Sequence, residues 1–278
     1  MINSSSNLLD FIKDSSNYLH NAGILNAKKE LEWFCIKKFN FSLLDVKSDK
    51  TDLNKEQYQG LKNFVSRRFK NEPFQYIINS APFLQYDFYV NSSVLIPRPE
   101  TETIINILKN QHFVNALDIG TGCGNLAISL YLEKISKNIT AIDCSIDAIN
   151  IAIENSIQLN SKNINFLVQD IFTYKPKKKY DLIVSNPPYI SFRDYKLLPE
   201  DIKIFEPDIA LTDFGDGYMF YVYFSNNLKL LLKSKGTMLL EIGLECTKKK
   251  IEKIFFDKAD LIWHKDLNGN TRILELNV

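Results

Sequence analysis

A chain of 278 residues with 45% hydrophobic and 24% charged residues has the composition of a soluble globular protein, with room for one large core or two modest ones. Its net charge of +1 argues against a global basic field of the kind that holds nucleic acid. Four cysteines without a C-x-x-C pair and three scattered histidines exclude a recognisable zinc pattern, and no apolar stretch approaches membrane-spanning length.

The opening segment "MINSSSNLLDFIKDSS" lacks a basic-then-apolar leader pattern, and the separated thiols read as reduced, so a cytoplasmic protein is expected. Residues 1–72 are predicted to be a small helical domain. Tyr58, Leu61, Phe64, Val65 and Phe69 recur at helical steps, with Asp52 as N-cap and Pro73 just past the end. "AKKELEWFCIKKF" supplies a second face from Ala27, Leu31, Phe34 and Cys35. This region holds no nucleophile, ligand cluster or glycine loop and reads as a packing or recognition module.

Residues 73–95 turn aromatic and β-branched around Asn79-Ser80 and Pro82, which predicts a β-hairpin linker. Residues 96–278 form the remaining domain, with Arg98 held extended between two prolines before a helix starting near Glu100. Arg98 either helps to close a site or pairs with an acid such as Glu102 or Glu206. Strands are predicted at 114–119, 139–143, 164–169, 180–185 and 236–242, with helices between them, including 147–160 and 217–233. Two further strands, 259–264 and 271–277, are joined across Asn268-Gly269. The alternation implies an α/β fold with a parallel doubly wound sheet and an antiparallel end. The short runs Lys175 to Lys179 and Lys248 to Lys250 read as solvated faces.

"DIGTGCG" places Gly120, Thr121, Gly122, Cys123 and Gly124 between an apolar strand and an apolar helix, where backbone can approach a ligand that any Cβ would obstruct. Asp143 follows at the end of the strand "ITAID", at the sheet edge where such folds bind ligands, and its carboxylate can accept from two ribose hydroxyls. The run is G-x-G-x-G, with Asn125 at the next position of the dinucleotide fingerprint. That disfavours a pyrophosphate and a nicotinamide oxidoreductase. A ligand with adenosine and an amino-acid tail fits better, and S-adenosylmethionine is that ligand. Asp170, ending the strand "INFLVQD", falls where the adenine is expected, together with Ile171 just after it.

"SNPPYI" at 185–190 holds a single amide, Asn186, in extended backbone at a strand end, stiffened by Pro187 and Pro188 and followed by Tyr189. A proline turn that merely caps the strand would look the same. Its place behind a cofactor loop at the same sheet edge favours a functional role.

With these pieces the sequence resembles the PrmC/HemK family, the peptide-chain-release-factor glutamine N5-methyltransferases. The matching motifs run in order through "EPFQYI" (72–77), "VLIPRPETE" (94–102), "DIGTGCG" (118–124), "SNPPYI" (185–190), "FEPDIAL" (205–211), "LLEIG" (239–243) and "KDLNGNTRIL" (265–274). The resemblance covers roughly residues 70 to 278, and "PRPETE" narrows it, because the sister family that acts on a ribosomal-protein glutamine usually differs there; that activity stays the alternative. It implies a seven-stranded Rossmann-like methyltransferase domain preceded by a helical substrate-recognition domain and a hairpin linker. It also implies transfer of a methyl group from S-adenosyl-L-methionine to the glutamine of the Gly-Gly-Gln motif in class I release factors; a monomer and no metal are expected beside it.

Carried over by position, Gly120 to Gly124 and Asp143 hold the cofactor, and Asn186, Pro187, Pro188 and Tyr189 hold the glutamine. An aromatic is frequent where this chain has Ile171, so the adenine is expected to pack more loosely or to borrow Phe172. A carboxamide nitrogen is a poor nucleophile, so the expected task is orientation. The Asn186 side-chain oxygen and the Pro187 carbonyl hold the two N–H groups, and Tyr189 packs on the planar amide. An adenine-N6 methyltransferase shares that logic but should carry a basic groove, which is absent here. A non-catalytic binding module is disfavoured by the intact Asn186 beside an intact glycine loop.

Overall fold

The computed structural model describes residues 7–244 and 246–278. Residues 1–6, where the leader pattern was sought and the helical domain begins, lie outside the described residues, as does Glu245. The chain separates into two compact units that divide after Asn79.

The first unit is helical: α1 (Leu8–Asn21), α2 (Ala27–Phe39), α3 (Leu43–Lys47), α4 (Lys55–Phe69) and α5 (Phe74–Ile78). Its core gathers Phe11, Leu31, Phe34, Leu61, Phe64 and Val65, so the apolar faces read from helical spacing are the faces that are buried. Phe69 is the exception and stays half-exposed, stacked on Tyr18 at 5.0 Å. The N-cap of α4 is Asn54 rather than Asp52, because Asn54 stands three residues before Gln57 and the two side chains cap reciprocally. Asp52 instead pairs its backbone with Asn7. Residues 74–78, expected within the hairpin, are helical. Pro73 sets the entry, and Ile77 and Ile78 join the helical core.

The second unit opens with a short hairpin, β1 (Ala81–Phe83) and β2 (Tyr86–Phe88). A 3-10 turn, Pro99–Thr101, then leads into α6 (Glu102–Leu108). The hairpin is tied to this helix by the Leu84 N–H, which donates to Glu102 Oε1 at 2.7 Å. There follow β3 (Phe113–Ile119), α7 (Asn125–Leu132), β4 (Ser136–Asp143), α8 (Ile146–Gln158), β5 (Ile164–Val168) and β6 (Tyr180–Ser185). The short α9 (Phe192–Tyr195) and α10 (Glu200–Phe205) precede α11 (Met219–Leu231), β7 (Leu232–Glu241), α12 (Lys248–Ile254), β8 (Asp260–Lys265) and β9 (Thr271–Asn277).

The seven strands from β3 to β9 form one sheet in the order β5-β4-β3-β6-β7-β9-β8. Every pair from β5 to β7 is parallel, and β9 runs antiparallel to both β7 and β8. β3 and β6 are the near-continuous apolar runs that a centre strand covered on both faces requires. The chain adds β4 and β5 on one side of β3, then crosses to add β6 and β7 on the other. The order therefore reverses between β3 and β6, and a crevice opens beyond their carboxyl ends. Ile119 pairs with Ser185 across that reversal, so the residues that follow, Gly120 and Asn186, leave the sheet side by side.

Candidate active site

The crevice is a cavity of about 340 Å³. Gly120 to Cys123, Asp143, Asp170, Ile171, Asn186, Pro187 and Pro188 all line it, although they come from the ends of four different strands and the loops after them.

The glycine loop begins where β3 ends. The Gly120 and Thr121 N–H groups both donate to the Ile142 carbonyl, at 2.9 and 3.0 Å. The Gly122 N–H donates to Asp143 Oδ2 at 2.9 Å, and the Ser145 N–H donates to Asp143 Oδ1 at 3.0 Å. Gly120, Gly122 and Gly124 have φ of +70°, +54° and +85°. A Cβ on Gly120 or Gly122 would meet nothing within 4 Å, because it would project into open space. Gly124 differs. It does not line the cavity, and a Cβ there would lie 3.0 Å from Ile128 Cδ1 and 3.1 Å from Ala152 Cβ. It packs α7 closely on α8.

Two residues without a place in the expected site hold the loop. Asn155 on α8 is fully buried, and its Nδ2 donates to the carbonyls of Cys123 and Tyr89, each at 2.9 Å. Asp118, also fully buried, accepts from Thr121 Oγ1 at 2.7 Å and from the Ala127 N–H at 3.1 Å. Burial pushes the Asp118 carboxyl up to about 7 and the Cys123 thiol up to about 12. Burial likewise raises Asp143, against the pull of the backbone N–H groups of Ser145 and Gly122.

On the far side of Asp143, Ile171 is buried and lines the cavity while Asp170 is exposed, accepting from the Phe172 N–H at 2.9 Å. Phe172, whose ring lies 5.1 Å from that of Phe220, also lines the cavity.

Asn186 donates from Nδ2 to Thr101 Oγ1 at 3.2 Å. Among the described residues nothing donates to its Oδ1 or to the Pro187 carbonyl, so two acceptors stand ready at the end of β6. Tyr189 is not brought into the cavity. Its hydroxyl donates to Glu241 Oε1 at 3.1 Å and accepts from Arg272 at 3.2 Å. Glu241 is fully buried; burial raises its carboxyl, with Thr101, Arg272 and Tyr189 acting in the opposite sense.

A strap from residues 205 to 218 covers this loop, with Ile190 bridged to Thr212 and Gly217 seated on the Tyr189 carbonyl. Arg98 lines the cavity and is paired with the buried Glu206 of the strap at 2.5 Å, the anticipated pairing with an acid. Among the described residues no group of three or more His, Cys, Asp or Glu side chains is placed to hold a metal ion.

The PrmC N-terminal domain family matches residues 10–78, and the methyltransferase small domain family matches residues 99–200. The release factor glutamine methyltransferase of Fusobacterium nucleatum is 36% identical over 275 residues, covering 96% of this chain and 77% of that protein. The chain belongs to the release factor glutamine methyltransferase family. The enzyme of the same name from Bacillus subtilis is 34% identical over 280 residues, covering 96% of both chains. A methyltransferase crystal structure from Pyrococcus furiosus shares the fold, with a TM-score of 0.54 at 19% identity over 78% of this chain and 98% of that one. The family places the crevice in an S-adenosylmethionine-dependent methyltransferase fold, and the donor set suits that cofactor. It offers a carboxylate for a ribose, an apolar wall for a flat base, and glycines whose missing Cβ atoms leave room.

Proposed function

We propose that the chain transfers a methyl group from S-adenosyl-L-methionine to the side-chain amide nitrogen of the glutamine in the Gly-Gly-Gln motif of class I peptide chain release factors. The C–S bond of the cofactor breaks as the N–C bond forms, S-adenosyl-L-homocysteine leaves, the methylated nitrogen gives up one proton to solvent, and no role is assigned to a metal. The observation that carries it is the pair of unengaged acceptors, Asn186 Oδ1 and the Pro187 carbonyl, beside Gly120 at the point where the strand order reverses.

When bound, the cofactor supplies an electrophilic methyl group on a sulfonium with a good leaving group. Asp143 takes the ribose hydroxyls, and the glycine loop admits the amino-acid tail. Ile171 and Phe172 wall the base, and Asp170 stands at its edge. Asn186 and the Pro187 carbonyl accept the two N–H groups of the glutamine amide. They fix the nitrogen's direction and favour the positive charge that grows on it. Pro187 and Pro188 lock the backbone so that these acceptors keep their aim. Tyr189, through Glu241, steadies the loop from behind. The helical unit, residues 1–72 with α5 added, recognises the release factor, and the enzyme works as a cytoplasmic monomer on protein rather than nucleic acid.

The test is to incubate the purified protein with labelled S-adenosylmethionine and a release factor, its Gln-to-Ala variant, a ribosomal protein or RNA, and to locate the label by mass spectrometry. Label on one release-factor glutamine, absent from the variant, is expected. Transfer to RNA or to the ribosomal protein alone would overturn the reading.

A further inference from the structure

Thr101 is the last residue of the 3-10 turn, 1% exposed, and its hydroxyl stands between two partners. It donates to Glu241 Oε2 at 2.5 Å and accepts from Asn186 Nδ2 at 3.2 Å. Glu241, the final residue of β7, is fully buried, and its other oxygen accepts from the Tyr189 hydroxyl at 3.1 Å and from Arg272 at 3.3 Å. All three neighbours of this carboxyl group can donate to it, and Arg272 brings a positive charge, so these contacts favour its ionised form against the burial that raises its pKa.

An ionised carboxylate only accepts, and a threonine hydroxyl has one proton to give. Beside Glu241 that proton is committed, and Thr101 can offer Asn186 nothing but a lone pair. Asn186 must therefore turn its NH2 group towards Thr101 and keep Oδ1 as the unengaged end. This matters because the two ends of a carboxamide have nearly the same shape. Flipped by half a turn, Asn186 would present a donor to a substrate N–H and repel it.

We infer that Thr101 and Glu241 are positioning residues that set the polarity of Asn186, so that it meets the substrate amide as an acceptor. Arg272 supplies the countercharge that Glu241 needs in order to do so. The inference deepens the proposed function and rests on Asn186 receiving a substrate N–H.

Thr101→Val keeps the shape and removes the hydroxyl, whereas Thr101→Ser keeps the hydroxyl. In the ¹⁵N-labelled full chain, the Asn186 side-chain NH2 resonance is identified by its loss in Asn186→Asp. It should exchange slowly with solvent in wild type and Thr101→Ser, and lose that protection in Thr101→Val. Single-turnover methylation of a release factor should fall roughly tenfold to a hundredfold in Thr101→Val and recover most of the loss in Thr101→Ser. Cofactor affinity by calorimetry should stay within about twofold, because the contact removed orients Asn186 for the substrate amide and is not one of those assigned to the cofactor. Glu241→Gln can donate to Thr101 and frees its proton, so it should reproduce the pattern and serves as the second variant if Thr101→Val does not fold. Unchanged protection of the Asn186 NH2 in folded Thr101→Val or Glu241→Gln would overturn the inference, whatever the protein methylates. The resonance changes without any methylation of the release factor by wild type would overturn the substrate assignment instead.

Discussion

The Gly122 N–H donates to Asp143 Oδ2 at 2.9 Å, so the residue expected to hold the ribose also holds the loop that faces it. Asp143→Ala should weaken S-adenosylmethionine binding on two counts, losing acceptors for the hydroxyls and the anchor of Gly122. Each hydrogen bond to a charged acceptor is worth roughly 1.5–3 kcal/mol, or at least a tenfold loss in affinity. The sheet does not depend on this side chain, so the variant should stay folded. Calorimetry on folded Asp143→Ala that returned wild-type affinity would refute the assignment.

Asp118 gives stability a pH dependence whose sign is fixed. Burial lifts its carboxyl in the fold to about 7, above the ordinary aspartate value near 4 that applies when unfolded. Between those values the folded form holds a proton that the unfolded chain has lost. Stability from this group is complete below about 4 and declines as pH rises to about 7. The thermal midpoint of wild type should therefore fall between pH 5 and pH 8 by more than that of Asp118→Asn, which cannot ionise. Parallel profiles for the two proteins would show that the buried carboxyl is not the cause.

Gly122 and Gly124 are two residues apart and should fail differently. Alanine at Gly124 takes a φ of +85° and meets Ile128 and Ala152 at about van der Waals overlap, so the left-handed penalty adds to overpacking. A loss of about 2–4 kcal/mol in stability is expected. Alanine at Gly122 meets open space at a φ of +54° and should lose only about 1 kcal/mol in stability, while cofactor affinity is expected to fall because its methyl group would project into the proposed cofactor site. Denaturant melts and calorimetry on the two variants separate the effects, and equal stability losses would refute the division of roles.

What the sequence revealed and what it hid have physical causes. The apolar runs of β3 and β6 and the strand-end position of Asp143 are local patterns, and they placed the sheet and the glycine loop. Gly124 looked the same as its neighbours because its duty depends on Ala152 of another helix. Residues 74–78 are aromatic and β-branched like a strand, but an apolar core on one side and Pro73 before them made them helical. Thr101 and Glu241 lie 140 residues apart and meet only because β7 follows β6 in the sheet order. The motifs "PETE" and "LLEIG" carried both residues, but nothing local joined them. Tyr189 followed the same rule: its neighbour in the chain is Asn186's loop, while its partners are Glu241 and Arg272.

Asn186→Ala should separate the site's two functions. Gly120 to Gly122, Asp143 and Ile171, the residues proposed to hold the cofactor, line the cavity independently of the Asn186 side chain, so affinity for S-adenosylmethionine should change little. The glutamine N–H would lose its side-chain acceptor, and turnover should fall by roughly a hundredfold or more, the scale of misplacing a reacting group by about one ångström. Asn186→Asp is the sharper variant. It keeps an acceptor oxygen but sets a carboxylate against the Thr101 lone pair where Nδ2 now donates. A residue that only capped the turn would tolerate Asp, itself a good turn residue, with near-normal activity. The orienting role predicts that Asp fails as Ala does. Single-turnover methylation by Asn186→Ala at the wild-type rate would show that the amide is not held by this side chain.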